Sequence, residues 1–341
     1  MDSKKYYTEL NIFRGLIVVW VCLGHSTLAA ESGILNPDFY FHTYAYSFHM
    51  AAFFLLSAVL FGRKVFAAGS IKDKKVLIIN RAAKLLIPYY FFTVVSFVLK
   101  LFMDKYAYNP IDFSAKYVLN VLFLGRDNPN GGLWFLFYLF LYSVLAVLLN
   151  KIDFRISTAV LFIVKLVLTA FSIKITFFEY AYIFFFGILI STYYEKISSY
   201  INKKAEKGGI YFISAATFIA SFFLVYLKCL NKNAFLSMLI CIYNIVVWYI
   251  LSVCIANKAN VFKKPFDLIG NYGMDIYMIG YYVQIVIRVV LYSMLKVNVT
   301  VCSVLMFICS IILPIIISKY IVRKFRITRI LVLGDIGHKR V

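Results

Sequence analysis

Two ionisable residues, Arg14 and His25, lie eleven positions apart within the first apolar stretch of the sequence. Eleven residues make almost three turns of an α-helix, so both side chains project from one face, about 16 Å apart along the axis. Arginine can bind phosphate, and the imidazole of histidine accepts a proton near neutral pH. Because ionisable groups are costly inside an apolar segment, this pair indicates a functional site with a cation and a base.

The helix that carries the pair is predicted to cross a membrane. Hydrophobic residues make up 63% of the 341 residues, charged residues make up 15%, and the mean hydropathy is +0.84. These values exceed what a soluble core needs and predict an all-α fold, a polytopic transmembrane bundle of about ten helices in one domain, residues 1–341. The predicted spans are residues 10–29, 42–66, 85–103, 133–149, 156–173, 176–194, 210–230, 234–255, 268–293 and 297–321.

The net charge of +21 is explained by topology. Of the 36 Lys and Arg residues, 25 fall in the alternate loops on one side of the ten-helix arrangement. The positive-inside rule makes this side and both termini cytoplasmic, and we expect a multi-pass plasma-membrane protein. Basic loops suit anionic lipid, so no nucleic-acid partner is predicted. A cleaved signal peptide is the alternative for the first segment, but Arg14 and His25 make a poor signal core.

Cysteines and surface segments add little chemistry. The six cysteines lie in or near apolar stretches without a C-x-x-C pair, and they predict no metal site. Two segments, Phe113–Leu124 and Phe325–Leu333, are predicted to lie on the membrane surface. His42 and His338 receive no role.

Further candidate residues follow along the chain. His49 on the second span lies about 20 Å from its inner end, so the two histidines can meet at one level. Arg81 and Lys84, three positions apart where the third span begins, form a cationic pair suited to phosphate groups. Trp134 follows two glycines at the outer end of the fourth span, a position typical of an interfacial aromatic residue.

These motifs together resemble the acyltransferase 3 family of bacterial integral membrane O-acyltransferases, over nearly the whole chain. The marks of the family are R-G-x8-G-H-S from Arg14, F-H-M-A-A-F-F-L-L-S-A at Phe48–Ala58, R-A-A-K-L-L-I-P-Y-Y at Arg81–Tyr90, L-W-F-L at Leu133–Leu136 and G-N-Y-G-M-D-I-Y at Gly270–Tyr277. The chain departs from the pattern at Ala58, where Gly is usual, at Lys84, where Arg is common, and at Gly280, where many members have a histidine. Catalysis here therefore cannot depend on that late histidine.

The resemblance implies transfer of an acyl group, usually acetyl from cytoplasmic acetyl-CoA, to a hydroxyl of a glycan or lipid-linked sugar. His25 and His49 are the catalytic candidates, with His25 as general base. Arg14, Arg81 and Lys84 are expected to contact the CoA phosphates. The candidates for substrate binding are Trp134, Asp275 and Tyr277.

Each assignment has a structural alternative. Arg14 would serve equally as an interface anchor whose side chain snorkels, and His25 as a hydrogen-bonding group between helices. Asp275 and Arg288 on the ninth span would form an ion pair that has a structural role and no catalytic one. Trp134 would anchor its helix at the interface.

Two other classes of membrane protein also place ionisable residues at this depth. A transporter or flippase is the main alternative, although no corresponding pair of Gly/Pro-broken spans appears in two halves of the chain. A polysaccharide polymerase predicts a larger outer loop than Asp104–Gly132. The sequence leaves open the acceptor, the acyl chain length, the side on which the acceptor is modified, a covalent acyl-enzyme and the oligomeric state.

Overall fold

The computed structural model describes residues 7–28, 37–103, 114–206, 208–230, 233–257 and 261–337, and these residues form helices without any β-strand. The helices are α1 (Thr8–Ser26), α2 (Pro37–Tyr46), α3 (His49–Ala67), α4 (Ile71–Met103), α5 (Ala115–Leu119), α6 (Trp134–Leu148), α7 (Phe154–Ala170), α8 (Thr176–Glu206), α9 (Gly209–Leu230), α10 (Ala234–Asn257), α11 (Lys263–Asn271), α12 (Gly273–Ile287), α13 (Val299–Ile317) and α14 (Arg326–Leu333). Turns of π-helix extend α5, α12 and α13 over Asn120–Leu124, Arg288–Met294 and Ser318–Val322.

The predicted all-α polytopic class is confirmed. Seven helical segments among the described residues are long and apolar enough to cross a membrane. They are Phe39–Ala67, Ile71–Phe102, Thr176–Glu206, Ile210–Leu230, Ala234–Asn257, Gly273–Met294 and Val299–Val322. The first, fourth and fifth predicted spans form α1, α6 and α7, which do not reach this combination of length and composition. A total of about ten spans therefore stays a prediction.

The outer surface of the bundle carries apolar stripes. On α7, four large apolar side chains are exposed at intervals of four, three and four residues, which places them on one face of the helix. They are Ile156, Val160, Ile163 and Val167. An exposed stripe of this length is unusual for a soluble protein and suits contact with lipid chains.

The two segments predicted to lie on the membrane surface form short helices. The first contains α5 and its π-helical turn, with Phe123 exposed, and the second contains α14, with Ile327 exposed. Their location on a membrane surface stays a prediction. Phe113 and His338 lie outside the described residues.

Helix α1 lies in the middle of the bundle, surrounded by α2, α3, α10, α11, α12 and α13. Two glycines allow neighbouring helices to approach its backbone. A Cβ atom added to Gly15 would lie 2.3 Å from the carbonyl oxygen of Phe266 in α11. A Cβ atom added to Gly24 would lie 2.9 Å from the Cβ of Ala45 in α2. The side chains next to these glycines, Arg14 and His25, are therefore held close to α11 and α2 respectively.

A buried carboxylate fastens the beginning of α1. Glu9 accepts hydrogen bonds from the hydroxyls of Tyr194, at 3.0 Å, and Ser198, at 2.7 Å, both on α8. Because buried polar groups must find partners, these bonds fix the depth of α1 relative to α8.

The second predicted span is interrupted beside α1. The apolar stretch 42–66 contains a break between α2 and α3 at Ser47 and Phe48, where Phe48 has φ −148° and ψ −24°. The Ser47 hydroxyl donates to the carbonyl of Tyr44 at 2.7 Å and accepts from the Asn244 side chain of α10 at 3.0 Å. These side-chain bonds compete with helical bonds at the turn and stabilise the interruption.

The ninth predicted span is interrupted as well. Within residues 268–293, Tyr272 separates α11 from α12 with φ −102° and ψ 12°. A Cβ atom added to Gly270 would lie 2.1 Å from the carbonyl oxygen of Asn11, so the end of α11 also rests directly on the α1 backbone. Both interruptions therefore lie against α1.

An aromatic cluster holds α2 in place. The ring centroids of Trp20 and Tyr44 are 4.5 Å apart, and those of Trp20 and Trp248 are 5.4 Å apart. The Tyr44 hydroxyl accepts a hydrogen bond from the Trp248 indole at 3.1 Å and lies 2.7 Å from the Ser221 hydroxyl. Ring packing and the hydrogen bonds of the Tyr44 hydroxyl together join α1, α2, α9 and α10.

We expect Gly15→Ala to destabilise the protein, because its methyl group would meet backbone of α11 that cannot rotate away. Overpacking of this kind costs about 1–3 kcal/mol. The measurement is the midpoint temperature at which the detergent-solubilised protein loses its monodisperse elution peak. Gly69→Ala is the matched control, since a Cβ atom there has no neighbour within 4 Å. Equal midpoints for the two variants would contradict the close approach.

Candidate active site

A cavity opens at the end of α1 that carries His25. Its walls come from α1, α3, α12 and the turn before α6, and its empty volume, with the open space at its mouth, is about 460 Å³. The polar side chains that line it are His25, Asn130, Tyr277, Tyr281 and Gln284. A mostly apolar cavity with a few converging polar groups is typical of a small-molecule site.

His25 projects from the last turn of α1 into this cavity. Its Nδ1 atom lies 3.2 Å from the hydroxyl of Tyr46, the last residue of α2. Its ring also makes an edge contact with Tyr281 of α12, with centroids 6.4 Å apart. The imidazole is therefore held between α2 and α12.

His49 is the first residue of α3 and is only 1% exposed. Its Nδ1 atom lies 2.5 Å from the carbonyl oxygen of Ala45. Because a carbonyl oxygen only accepts, Nδ1 carries the hydrogen, and in the neutral ring Nε2 keeps a free electron pair. The ring packs edge-on against Tyr46, with centroids 4.9 Å apart. The two predicted histidines thus contact the same tyrosine, although His49 does not line the cavity.

Gln284, which sequence reasoning missed, joins α12 to the end of α1. Its side-chain nitrogen donates to the carbonyl of Cys22 at 3.0 Å and to the hydroxyl of Ser26 at 2.9 Å. The two acceptors lie close together, because the Ser26 hydroxyl itself donates to the Cys22 carbonyl at 2.6 Å. The amide oxygen can accept a hydrogen bond from a hydroxyl in the cavity. The sequence did contain a signal for Gln284, since it is a polar residue on an apolar helix, four positions after Gly280.

The turn before α6 supplies another wall of the cavity. Asn130 is buried, and its side-chain oxygen accepts from the backbone nitrogen of Gly132 at 3.0 Å. The Tyr277 hydroxyl donates to the carbonyl of the same glycine. Trp134, one of the predicted substrate contacts, lies outside the lining and stacks on Tyr180 with centroids 5.8 Å apart.

Arg14 lies at the opposite end of α1, where α11 meets α12. Its Nη1 atom donates to the Asn11 side-chain oxygen at 3.3 Å and to the carbonyl of Gly270 at 3.4 Å. A Cβ atom added to Gly273, the first residue of α12, would lie 2.9 Å from the Arg14 Cδ. Since Gln284 contacts the other end of α1, α12 runs beside α1 in the same direction from Arg14 to the cavity.

Arg81 is held between α3 and α6. Its Nη2 atom donates to the Ser57 hydroxyl at 2.6 Å, its Nε atom donates to the Ser143 hydroxyl at 3.0 Å, and the guanidinium lies 4.7 Å from the centroid of the Phe61 ring. A guanidinium has further N–H groups, so these bonds leave donors for an anion.

Lys84 is exposed one turn further along α4, where the end of α14 rests on the helix. Gly334 follows α14 with φ +61°, and a Cβ atom added to it would lie 2.5 Å from the Cα of Lys84. Because α14 also contacts α12, it connects the basic part of α4 to the region of Arg14.

Asp275 does not line the cavity but forms a buried ion pair. It is 1% exposed and receives hydrogen bonds from the Arg323 Nη2 atom, at 2.8 Å, and from the Ser318 hydroxyl. The ion-pair partner is therefore Arg323, and not Arg288 as the sequence alternative supposed. Arg323 also donates to the carbonyl of Asn271 at 3.0 Å, and its guanidinium lies 4.1 Å from the centroid of the Tyr272 ring.

Arg14 and Arg323 thus bind neighbouring carbonyl groups at the end of α11. The C-terminus of a helix carries partial negative charge, which favours cations at this position. Arg323 was missed because only the tertiary fold brings the end of α13 to this junction. Within the described residues, no three His, Cys, Asp or Glu side chains are placed to hold a metal ion.

The fold and the site define a class of protein, a multi-pass membrane protein with a histidine-lined cavity at one end and arginines at the other. The family model described as an acyltransferase domain matches residues 7–323. The chain therefore belongs to the acyltransferase 3 family and is a membrane acyltransferase. This confirms the family resemblance and the acyltransferase class. No curated protein and no solved structure matches the chain.

We expect Arg323→Gln to destabilise the protein, because it leaves the Asp275 carboxylate buried without its cation. Arg323 is 39% exposed, so solvent reduces the loss, and we expect about 1–3 kcal/mol. The midpoint of thermal unfolding in detergent measures this loss. Lys319→Gln, at an exposed cation on the same turn, is the control.

The double variant Asp275→Asn with Arg323→Gln tests the cause. It should recover part of the lost stability, because no uncompensated charge remains buried. If the double variant loses as much stability as the two single variants together, the broken ion pair is not the cause of the destabilisation.

Proposed function

We propose that the protein transfers an acetyl group from acetyl-CoA to a hydroxyl of a glycan or lipid-linked sugar. The observation that carries the proposal is the parallel packing of α1 and α12. One end of this pair holds Arg14, and the other end opens into the cavity beside His25 and Gln284. The Arg14 end thus suits the phosphates of a donor, and the cavity suits the hydroxyl of an acceptor.

The donor binds at the end with the arginines. In this proposal Arg14, Arg81 and Lys84 contact the phosphates of CoA, because guanidinium and ammonium groups form strong charge-assisted hydrogen bonds with phosphate. Phosphate oxygens would replace the present acceptors of Arg14, the Asn11 side chain and the Gly270 carbonyl. An extended pantetheine arm would then follow α1 over about 16 Å toward His25.

His25 is the general base. Its imidazole takes the proton of the acceptor hydroxyl as the hydroxyl oxygen bonds to the thioester carbon. The carbon–sulfur bond then breaks, and the departing thiolate receives the proton from the imidazolium. Atoms and charge balance without a further reactant, and direct transfer needs no protein nucleophile. His49 serves as a second base or holds the local structure through its bond to Ala45.

The acceptor occupies the cavity. The Gln284 amide oxygen and the Tyr281 and Asn130 side chains offer hydrogen bonds to hydroxyl groups, and Tyr277 shapes the wall through its bond to Gly132. Trp134 and Asp275 lie outside the cavity and stabilise the fold in this proposal.

The membrane orientation follows from charge. In this proposal the Arg14 end of the bundle and both termini lie in the cytoplasm of a plasma membrane, as the positive-inside rule predicts from the basic loops. Acetyl-CoA would then be bound from the cytoplasmic side, and the cavity at the His25 end would face outward.

We expect His25→Ala to lower acetyl transfer by about 10²–10⁴-fold, because the reaction loses its general base. The measurement is base-labile radiolabel on surface glycans after membrane vesicles receive labelled acetyl-CoA. Lys151→Ala, at an exposed residue far along the chain from α1, is the expression-matched control. Full activity in His25→Ala would refute the role of the base, and absence of transfer by the wild type would refute the proposed reaction.

We expect Arg14→Ala to weaken acetyl-CoA binding by about 10-fold, roughly 1.4 kcal/mol, because one phosphate contact is lost. Equilibrium binding of labelled acetyl-CoA to the purified protein measures this change. Lys196→Ala, at an exposed lysine of α8, controls for nonspecific attraction. Unchanged affinity in Arg14→Ala would exclude the phosphate contact.

A further inference from the structure

Tyr46 stands at the point where α2 ends, and three histidines surround it. His42 stacks on its ring with centroids 4.2 Å apart and an interplanar angle of 24°. His49 approaches the ring edge-on at 4.9 Å, and the hydroxyl lies 3.2 Å from the His25 Nδ1 atom. The ring is therefore held on several sides while its polar tip contacts His25.

Gly24 makes this arrangement possible. A Cβ atom at position 24 would lie 3.3 and 3.6 Å from two carbons of the Tyr46 ring and 2.9 Å from the Cβ of Ala45. The missing side chain on α1 thus provides the space in which the tyrosine lies. Since Gly24 directly precedes His25, the same helical turn supplies both the space and the imidazole.

The contact at Nδ1 determines what His25 can do at its other nitrogen. His25 lines the cavity and Tyr46 does not, so the nitrogen that serves the cavity is Nε2. If the tyrosine hydroxyl donated to Nδ1, the neutral ring would carry its hydrogen on Nε2 and could not accept a proton there. If Nδ1 donates to the tyrosine oxygen, Nε2 presents a free electron pair to the cavity.

We propose that Tyr46 is a positioning residue that accepts a hydrogen bond from His25 Nδ1 and so keeps Nε2 as the proton acceptor. This is the arrangement by which a partner on one imidazole nitrogen sets the state of the other. The catalytic consequence rests on the proposed function, whereas the location of the hydrogen does not.

The first test is solid-state NMR of the full-length protein, labelled with ¹⁵N and ¹³C histidine, in lipid vesicles at neutral pH. Subtraction of the His25→Gln spectrum identifies the His25 signals. We expect the His25 hydrogen on Nδ1, as the Ala45 carbonyl already requires for His49, which is the internal reference. A His25 hydrogen on Nε2 in the wild type would overturn the proposal.

The second test compares Tyr46→Phe with Tyr40→Phe. Both remove one hydroxyl from α2, but the Tyr40 hydroxyl donates to the Phe222 carbonyl of α9 and not to a histidine. We expect only Tyr46→Phe to shift the His25 hydrogen toward Nε2 and to lower kcat for acetyl transfer about 10-fold, with an unchanged KM for acetyl-CoA. An unchanged His25 spectrum in Tyr46→Phe would refute the positioning role.

The outcomes separate this inference from the proposed function. If the wild type transfers no acetyl group, the proposed reaction fails, yet the spectra still decide whether Tyr46 sets the His25 hydrogen. If Tyr46→Phe does not fold, Gly24→Ala keeps the hydroxyl but displaces the ring, and the same spectral shift is expected. No shift in that variant would also count against the proposal.

Discussion

The close approach of two interrupted helices to the backbone of α1 is the constraint on which the site depends. Gly15 admits α11 and Gly24 admits α2, and each glycine is the immediate neighbour of an ionisable residue. Gly15 meets the Phe266 carbonyl, whereas Gly24 meets the Cβ of Ala45 and the ring of Tyr46. Arg14 is consequently positioned by backbone packing and His25 by the short Ala45 side chain and a packed ring, and close packing of this kind leaves little freedom for sliding.

The positively charged end of the bundle is compensated before any ligand arrives. Asp275 neutralises Arg323, and the carbonyl end of α11 with the Asn11 side chain accepts from Arg14. A phosphate that binds there must displace these acceptors, so binding is an exchange of hydrogen bonds and not a net gain of all of them. For the proposed CoA donor, such an exchange favours reversible binding over tight retention after transfer.

Local pattern revealed the membrane class, the family and the alignment of Arg14 with His25, because helical periodicity and short motifs are properties of neighbouring residues. The sequence did not reveal the interruption at Ser47, since aromatic residues lie on both sides of it. At Tyr272 the flanking Asn271 and Gly273 are typical of a turn, but the prediction of one continuous span passed over them. The Ser47 interruption depends on Asn244, a residue far away in sequence. Arg323, Gln284 and Tyr46 were missed for the same reason, because their partners meet only in the folded bundle.

Helix α1 is fastened at both ends, by Glu9 to α8 and by Ser26 to Gln284. In the proposed reaction the acyl group travels along this helix from the Arg14 end to the cavity. The acetyl group that leaves is neutral, and the hydrogen that CoA receives in return is bound to sulfur. The exchange is electroneutral, and the voltage across the membrane would neither drive nor oppose it.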